Sequence, residues 1–283
     1  MFIIDHDGDY RHYDGVNPRI VQALPAGAYT AGVGQNILFF RPVPTTADTL
    51  VRLDTRTARS VGREIDTFFD PATTGQLMAA GLKHRRGVLL HGAAGSGKTS
   101  LLRAFFPSMI ERNAVILVQP HCSYLKDTFI PSIRRHDQDR PIVIIWDEFE
   151  MVVSDYMAEL LQLLDGVTSP EHLMVLTTSN QMAAIPDTLV KRPSRFGLIC
   201  EMPPLDGDAR MAYTAKKYPM LSATVRQQLI SLVDPSLTLD YVEEACKLFL
   251  MKYEYDEIRD RMTGIKQAVE LCYEDDELYE EEE

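Results

Sequence analysis

The stretch Gly87-Val88-Leu89-Leu90-His91-Gly92-Ala93-Ala94-Gly95-Ser96-Gly97-Lys98-Thr99-Ser100-Leu101-Leu102-Arg103 decides the fold. An apolar run of strand length passes into a glycine-rich turn and then into a helical pattern, the order a phosphate cradle requires. The glycines let successive backbone N–H groups face one anion, and the helix starting near Gly97 adds the positive end of its dipole. Lys98 can then reach the β- and γ-phosphates of a nucleotide, and the Thr99 hydroxyl can ligate Mg²⁺. Gly92, Ala93, Ala94, Gly95, Ser96, Gly97, Lys98, Thr99 and Ser100 are read as the nucleotide-binding segment.

A cradle binds, but hydrolysis needs an acid at a neighbouring strand end. Ile142-Val143-Ile144-Ile145-Trp146-Asp147-Glu148 supplies two. Asp147 can hold Mg²⁺ through its water shell, and Glu148 can accept a proton from an attacking water, an assistance worth about 10²–10⁴-fold. The next apolar run ends as Leu176-Thr177-Thr178-Ser179-Asn180, which puts polar side chains at the same carboxyl edge; Asn180 is suited to hold the attacking water or a γ-phosphate oxygen. Further on, Arg192-Pro193-Ser194-Arg195-Phe196-Gly197 carries two arginines that could supply positive charge to a loose phosphoryl transition state.

Working outward, apolar runs at 114–118, 141–146, 173–176 and 197–200 suit parallel strands covered on both faces, and the helical patterns between them give a doubly wound α/β core. Residues 63–69 and 75–81 read as helices leading through an exposed basic loop, Lys83-His84-Arg85-Arg86, into the cradle strand. A helix is expected over 154–164, with Ser154 as N-cap and Gly166 past its end. Residues 1–60 alternate short β-rich runs with turns, at Asp7-Gly8 and Gly34-Gln35-Asn36, and residues 45–48 look like a linker. Beyond Pro203 only helical patterns remain, with Arg210 read as a surface residue. The expected division is 1–60, a β-rich N-terminal adaptor and linker; 61–202, the nucleotide-binding core; 203–272, a helical lid; and 273–283, a disordered acidic tail.

The formal charge of −12 argues mildly against coating nucleic acid. Eight of the last ten residues are acidic, however, and the remainder carries only −4, so a local basic channel built from Arg134, Arg135 and Arg140 stays open beside the commoner readings of a solvated helix face or a subunit contact. The four cysteines are scattered without ligand spacing, and reduced thiols are expected. No apolar run approaches the roughly 20 residues of a membrane span, and no leader pattern opens the chain, so a cytoplasmic protein is expected.

The cradle, Asp147-Glu148, Glu159-Leu160-Leu161-Gln162-Leu163-Leu164-Asp165-Gly166, the Thr-Thr-Ser-Asn strand end and the Arg-Pro-Ser-Arg-Phe run together resemble the AAA+ ATPases, specifically their classical AAA clade. The resemblance covers residues 61–271. It implies a P-loop α/β core with a helical lid, ATP and Mg²⁺ as cofactors, and assembly into a homo-oligomeric ring, usually a hexamer. By the same resemblance Arg192 and Arg195 match arginine fingers inserted into the neighbour's site, and Val61 and Ile65 lie in the segment bordering the adenine. The chain departs from the family pattern at Ala93-Ala94, at Gly197 and at the bulky Trp146, and no arginine stands near Ser236-Leu237-Thr238-Leu239-Asp240. The aromatic-hydrophobic-glycine triplet with which the clade threads polypeptide is also missing; Tyr124 is the candidate in its place, with packing as its alternative role. The function implied is an ATP-hydrolysing motor that remodels or translocates a protein client. A DNA-associated ATPase of replication or recombination and an ATP-gated assembly scaffold are the alternatives. Tyr273, Leu278 and Tyr279 would make the tail either a docking peptide or a solubilising one.

Overall fold

The computed structural model describes residues 2–4, 10–12, 20, 21, 23–34, 37–45, 51, 53–135, 137–165 and 170–280. The expected turn at 7–8, residues 35 and 36 of the second turn, the linker residues 46–48 and Gly166 lie outside the described residues. The chain forms two compact units, Met1–Gly92 with Lys98–Met202, and Ala93–Gly97 with Pro203–Glu283.

The first unit is built on one ten-stranded sheet: β1 (Phe2–Ile4), β2 (Tyr10–His12), β3 (Ile20–Val21), β4 (Gly27–Gly34), β5 (Ile37–Pro42), β6 (Arg85–His91), β7 (Val115–Val118), β8 (Ile142–Trp146), β9 (Leu173–Ser179) and β10 (Leu198–Glu201). Their spatial order is β10-β6-β9-β8-β7-β4-β5-β2-β1-β3. The pairs from β10 to β4 are parallel, and those beyond β4 are antiparallel. β6 to β9 are apolar nearly throughout because the parallel sheet is covered on both sides. Alternate residues feed two apolar clusters. Leu89, Leu117, Ile144, Trp146 and Val175 face one. Val88, Leu90, Ile116, Ile145 and Met174 face the other. Each fully buried aliphatic side chain of this kind stabilises the fold by about 1.5–3 kcal/mol.

The covering helices are α1 (Arg56–Phe68), α2 (Pro71–Ala79), α3 (Lys98–Arg103), α4 (Phe106–Glu111), α5 (Cys122–Tyr124), α6 (Ile130–Arg134), α7 (Phe149–Asp165) and α8 (Asp187–Val190). α1 starts earlier than its pattern predicts because the Thr55 side chain accepts the Ala58 N–H and caps it. α7 also starts early, at Phe149, which stacks on Trp146 in the core; a kink at Tyr156 separates that first stretch from the amphipathic part read from the sequence.

Three expectations are corrected here. The N-terminal strands do not form a separate module: β4 pairs with β7 through Gly27↔Val115 and Ala28↔Ile116 and carries the core's own sheet outward, satisfying a row of backbone groups that would otherwise form an open edge. The basic stretch before β6 is not an exposed loop. Arg85 and Arg86 already belong to the strand, and His84 is buried, its Nδ1 2.9 Å from His172 Nδ1 and its Nε2 2.8 Å from the Phe68 carbonyl. Nor do Arg134 and Arg140 line a channel, although Arg135, the third residue considered, is exposed. Arg134 donates to the Glu171 and His172 carbonyls, and the buried Arg140 ties Leu24 and Asn113 to the end of the loop before β8.

The second unit contains α9 (Gly207–Lys217), α10 (Ala223–Ser231), α11 (Leu239–Leu250) and α12 (Tyr255–Glu280). Asp206 and Ser222 cap α9 and α10 through their side-chain oxygens. α12 runs on to Glu280 where a disordered tail is expected. Glu and Leu are strong helix formers, and extending an existing helix needs no new nucleus.

Arg210 is the largest departure in this unit. Instead of lying on the surface it is 2% exposed. Its guanidinium donates to the carbonyls of Leu205 (2.8 Å), Asp234 (3.2 Å), Pro235 (2.8 Å) and Leu237 (2.6 Å), so one cation satisfies the whole α10–α11 connection. Charge-assisted bonds of this kind are costly to strand, because the acceptors stay buried when the donor is removed. Arg210→Met is therefore expected to destabilise the chain by about 3 kcal/mol in urea titration, with Arg210→Lys intermediate. Identical midpoints for all three proteins would show the carbonyls to be satisfied without it.

Candidate active site

In a parallel sheet the carboxyl ends of neighbouring strands lie along one edge, where ligands collect. β6, β9 and β8 are consecutive neighbours, so the cradle after β6, the polar end of β9 and the acidic pair after β8 share that edge. The register pairs His91 with Ser179 and Trp146 with Thr177.

Asp147 is the hub. The Thr99 hydroxyl lies 2.7 Å from its Oδ1 and 2.8 Å from its Oδ2, so one proton is shared between two acceptors. The Thr178 hydroxyl also donates to Oδ1. Behind the carboxylate, the Gln119 side chain grips the Asp147 backbone in both directions, accepting from its N–H (3.1 Å) and donating to its carbonyl (3.0 Å). The indole of Trp146 donates to the Pro120 carbonyl at 3.1 Å, which anchors the same loop from inside and accounts for the bulk of that residue.

The nucleotide-binding segment has the backbone its glycines predict. Gly92, Gly95 and Gly97 have φ of 145°, 74° and 90°, values that a side chain opposes. A Cβ on Gly92 would also stand 2.6 Å from the Met202 carbonyl oxygen. Lys98 is buried, with Nζ donating to the Gly92 carbonyl at 2.7 Å, while Ser100 is exposed in the first turn of α3.

Glu148 is exposed and has φ of 52°, in the left-handed region that a glutamate rarely adopts. Its N–H donates to Thr178 Oγ1 at 3.3 Å. The strain turns the side chain away from the direction the strand would give it, and strain of this kind collects where function requires it. Gln119 is held similarly, at φ 50°. Asn180 is exposed just past β9, its backbone N–H donating to Glu150 Oε1 at 3.0 Å.

The structure divides the remaining candidates. Val61 and Ile65 are 0% and 1% exposed, their side chains packed in the apolar cluster against β6. Arg192 and Arg195 both pair with Asp165, at 3.1 and 3.0 Å, but their exposures differ tenfold, 60% against 6%. Arg195 additionally donates to the Thr188 carbonyl and is buried. Burial pushes the Asp165 carboxyl upward, yet the hydrogen bonds from Arg195 and Arg192 outweigh it and hold it below the usual carboxylate range.

Thr178, Gln119, Glu150 and Asp165 are site residues that the sequence reading did not assign. The polar end of β9 pointed towards Thr178; nothing in the sequence marks Gln119, whose part depends on its backbone angle.

A carboxylate beside a hydroxyl, both hard oxygen donors, suits Mg²⁺, which keeps most of its coordination sphere for water and phosphate. Among the described residues no group of three or more His, Cys, Asp or Glu could enclose a metal by itself. Thr99 and Asp147 would therefore hold the ion jointly with a nucleotide.

Residues 88–204 match the model of the family described as ATPase family associated with various cellular activities (AAA). The chain is 29% identical over 153 residues to the cell division control protein 48 homolog B of Arabidopsis thaliana, covering 46% of this chain and 24% of that protein. It is 25% identical over 203 residues to the peroxisomal ATPase PEX6 of Eremothecium gossypii, covering 65% and 19%. It is 26% identical over 140 residues to a Corynebacterium jeikeium protein named AAA ATPase forming ring-shaped complexes, covering 41% and 27%. The chain thus spans about a quarter or less of the length of most of these relatives.

The left-handed backbone at Glu148 has a measurable cost. Glu148→Gly and Glu148→Ala both remove the carboxylate, but only glycine relieves the angle, so the glycine variant is expected to be about 1 kcal/mol more stable than the alanine variant in urea titration. Equal stabilities would mean the loop relaxes freely.

Proposed function

This chain belongs to the AAA+ superfamily of ATPases, and from that membership we propose that it hydrolyses ATP with Mg²⁺ as one subunit of a homo-oligomeric ring that remodels a protein client. The observation that carries the reading is the convergence of the Thr99 and Thr178 hydroxyls on the single carboxylate of Asp147, with the Glu148 N–H donating to that same Thr178 hydroxyl. ATP with Mg²⁺, when bound, supplies an electrophilic γ-phosphoryl group. The chain's own residues do the rest. The amides of residues 92–99 and the Lys98 ammonium, now donating to the Gly92 carbonyl, meet phosphate charge. The exposed Glu148 carboxylate takes the proton of the attacking water, and the Asn180 amide at the neighbouring strand end orients that water.

The charge lent between subunits is assigned to Arg192. Its ion pair is exposed, so an arriving phosphate can replace Asp165 at little cost, whereas Arg195 is 6% exposed and also donates to the Thr188 carbonyl, contacts it would have to give up to reach a neighbour. Arg195 is read as the residue that keeps Asp165 ionised and in place. The ring is supported by the name of the Corynebacterium relative, and hexameric size by the family resemblance alone. A protein client accords with the acidic net charge and with the engagement of the half-buried Arg134 and the buried Arg140 by backbone carbonyls, which takes both away from a polyanion track. Tyr124, 41% exposed beside His121, is the aromatic side chain offered to that client.

Glu148→Gln is expected to bind ATP within about threefold of the natural chain while kcat falls by 10²-fold or more. Arg192→Ala is expected to lose turnover with ATP affinity intact. Mixing these two inactive proteins should restore part of the turnover, because a mixed ring contains sites with both groups. Absence of any recovery would overturn the assignment of Arg192 to the neighbouring site.

A further inference from the structure

Within the second unit the tip of the glycine loop, residues 93–97, meets the start of α11. A Cβ built on Gly95 would come 2.5 Å from Asp240 Oδ2, 2.7 Å from its Cγ and 2.9 Å from Thr238 Oγ1. A carboxylate and a hydroxyl therefore rest directly on the glycine at the crown of the cradle. Thr238 is the N-cap of α11, but its hydroxyl caps nothing. It is 4% exposed, and Oγ1 has no hydrogen-bond partner among the described residues. Asp240, in the first helical turn, is exposed. An orphaned buried hydroxyl aimed at the loop is incomplete without a further polar group, and the loop's own purpose is to hold an anion.

We propose that the Thr238–Asp240 turn is an acidic gate on the phosphate cradle. Without nucleotide, the Asp240 carboxylate occupies the positive field created by the loop amides and by the amino end of α11, each of which favours an anion. A triphosphate claims the same field and repels the carboxylate at a separation well inside the screening length, so nucleotide binding displaces the turn and loosens the start of α11. The gate is charge-sensitive: ATP, with one phosphate more than ADP, is opposed more strongly and moves the turn further. This rests on the reading of residues 92–99 as a nucleotide site and adds the regulation of that site.

The test measures dissociation constants for a fluorescent ATP analogue and its ADP counterpart, each with Mg²⁺, on the full chain and on Asp240→Asn and Asp240→Ser. The near-isosteric asparagine removes charge alone, and serine serves if asparagine disturbs the helix. Each variant is expected to bind the ATP analogue about tenfold more tightly, with a smaller gain for the ADP analogue. Amide exchange at residues 238–242 should accelerate on ATP binding in the natural chain, and much less in the variants. Affinities within twofold of the natural chain, or weaker binding by both variants, would overturn the gate while leaving the nucleotide site standing. If neither the natural chain nor the variants bind either nucleotide, the site reading falls and the gate with it.

Discussion

A single carboxylate ties together the carboxyl edge of the parallel sheet. Asp147 is the acceptor for a hydroxyl from the helix after the cradle and for another from β9, while its backbone is clasped by Gln119. Three connections that leave different strands are therefore tied at one point, and each contributes one side chain that cannot move without stranding the others. Hydrogen bonds to a charged acceptor are the stronger kind, and a network with shared acceptors loses more than one bond when a member leaves. A site that must receive a highly charged ligand benefits from such a framework, because little has to be reorganised when the ligand arrives.

That framework depends on the sheet behind it. Parallel strands need both faces covered, and the two apolar clusters satisfy this with alternate residues of the same strands. The arrangement leaves one structural problem, the outer side of β7, whose backbone groups would face water or another chain. β4 closes it in parallel register, and β5 then turns the sheet antiparallel, a pairing that tolerates a solvent-facing side. The residues that read as a separate adaptor are, in physical terms, the border of the same sheet.

Much of this was legible in the chain itself. The glycines at 92, 95 and 97 demanded backbone angles that only they adopt readily, the run into Asp147-Glu148 fixed a buried strand with an acidic exit, and continuous apolar segments announced a covered parallel sheet. What could not be read depended on partners distant in sequence. Arg210 looks like any basic residue on a polar helix until four carbonyls from the chain 5 to 27 positions away surround it. Arg195 and Arg192 are alike in sequence and opposite in burial, because one faces α8 and the other solvent. Val61 and Ile65 are placed by resemblance alone, and that their side chains pack in the core depends on partners far along the chain. Left-handed angles at Gln119 and Glu148 carry no signature at all, since neither residue prefers them.

The buried imidazole pair at the amino end of β6 has an effect on proton inventory. A carbonyl can only accept, so the contact with Phe68 places the His84 proton on Nε2, leaves Nδ1 bare, and makes His172 Nδ1 the donor between the two rings. Burial first, with His172 beside it, lowers the His84 basicity despite the Phe68 carbonyl. The unfolded chain therefore takes up a proton near pH 6.5 that the folded chain refuses. The contribution of His84 to the clasp between the starts of β6 and β9 is at full strength above that value and weakens as the medium acidifies below it.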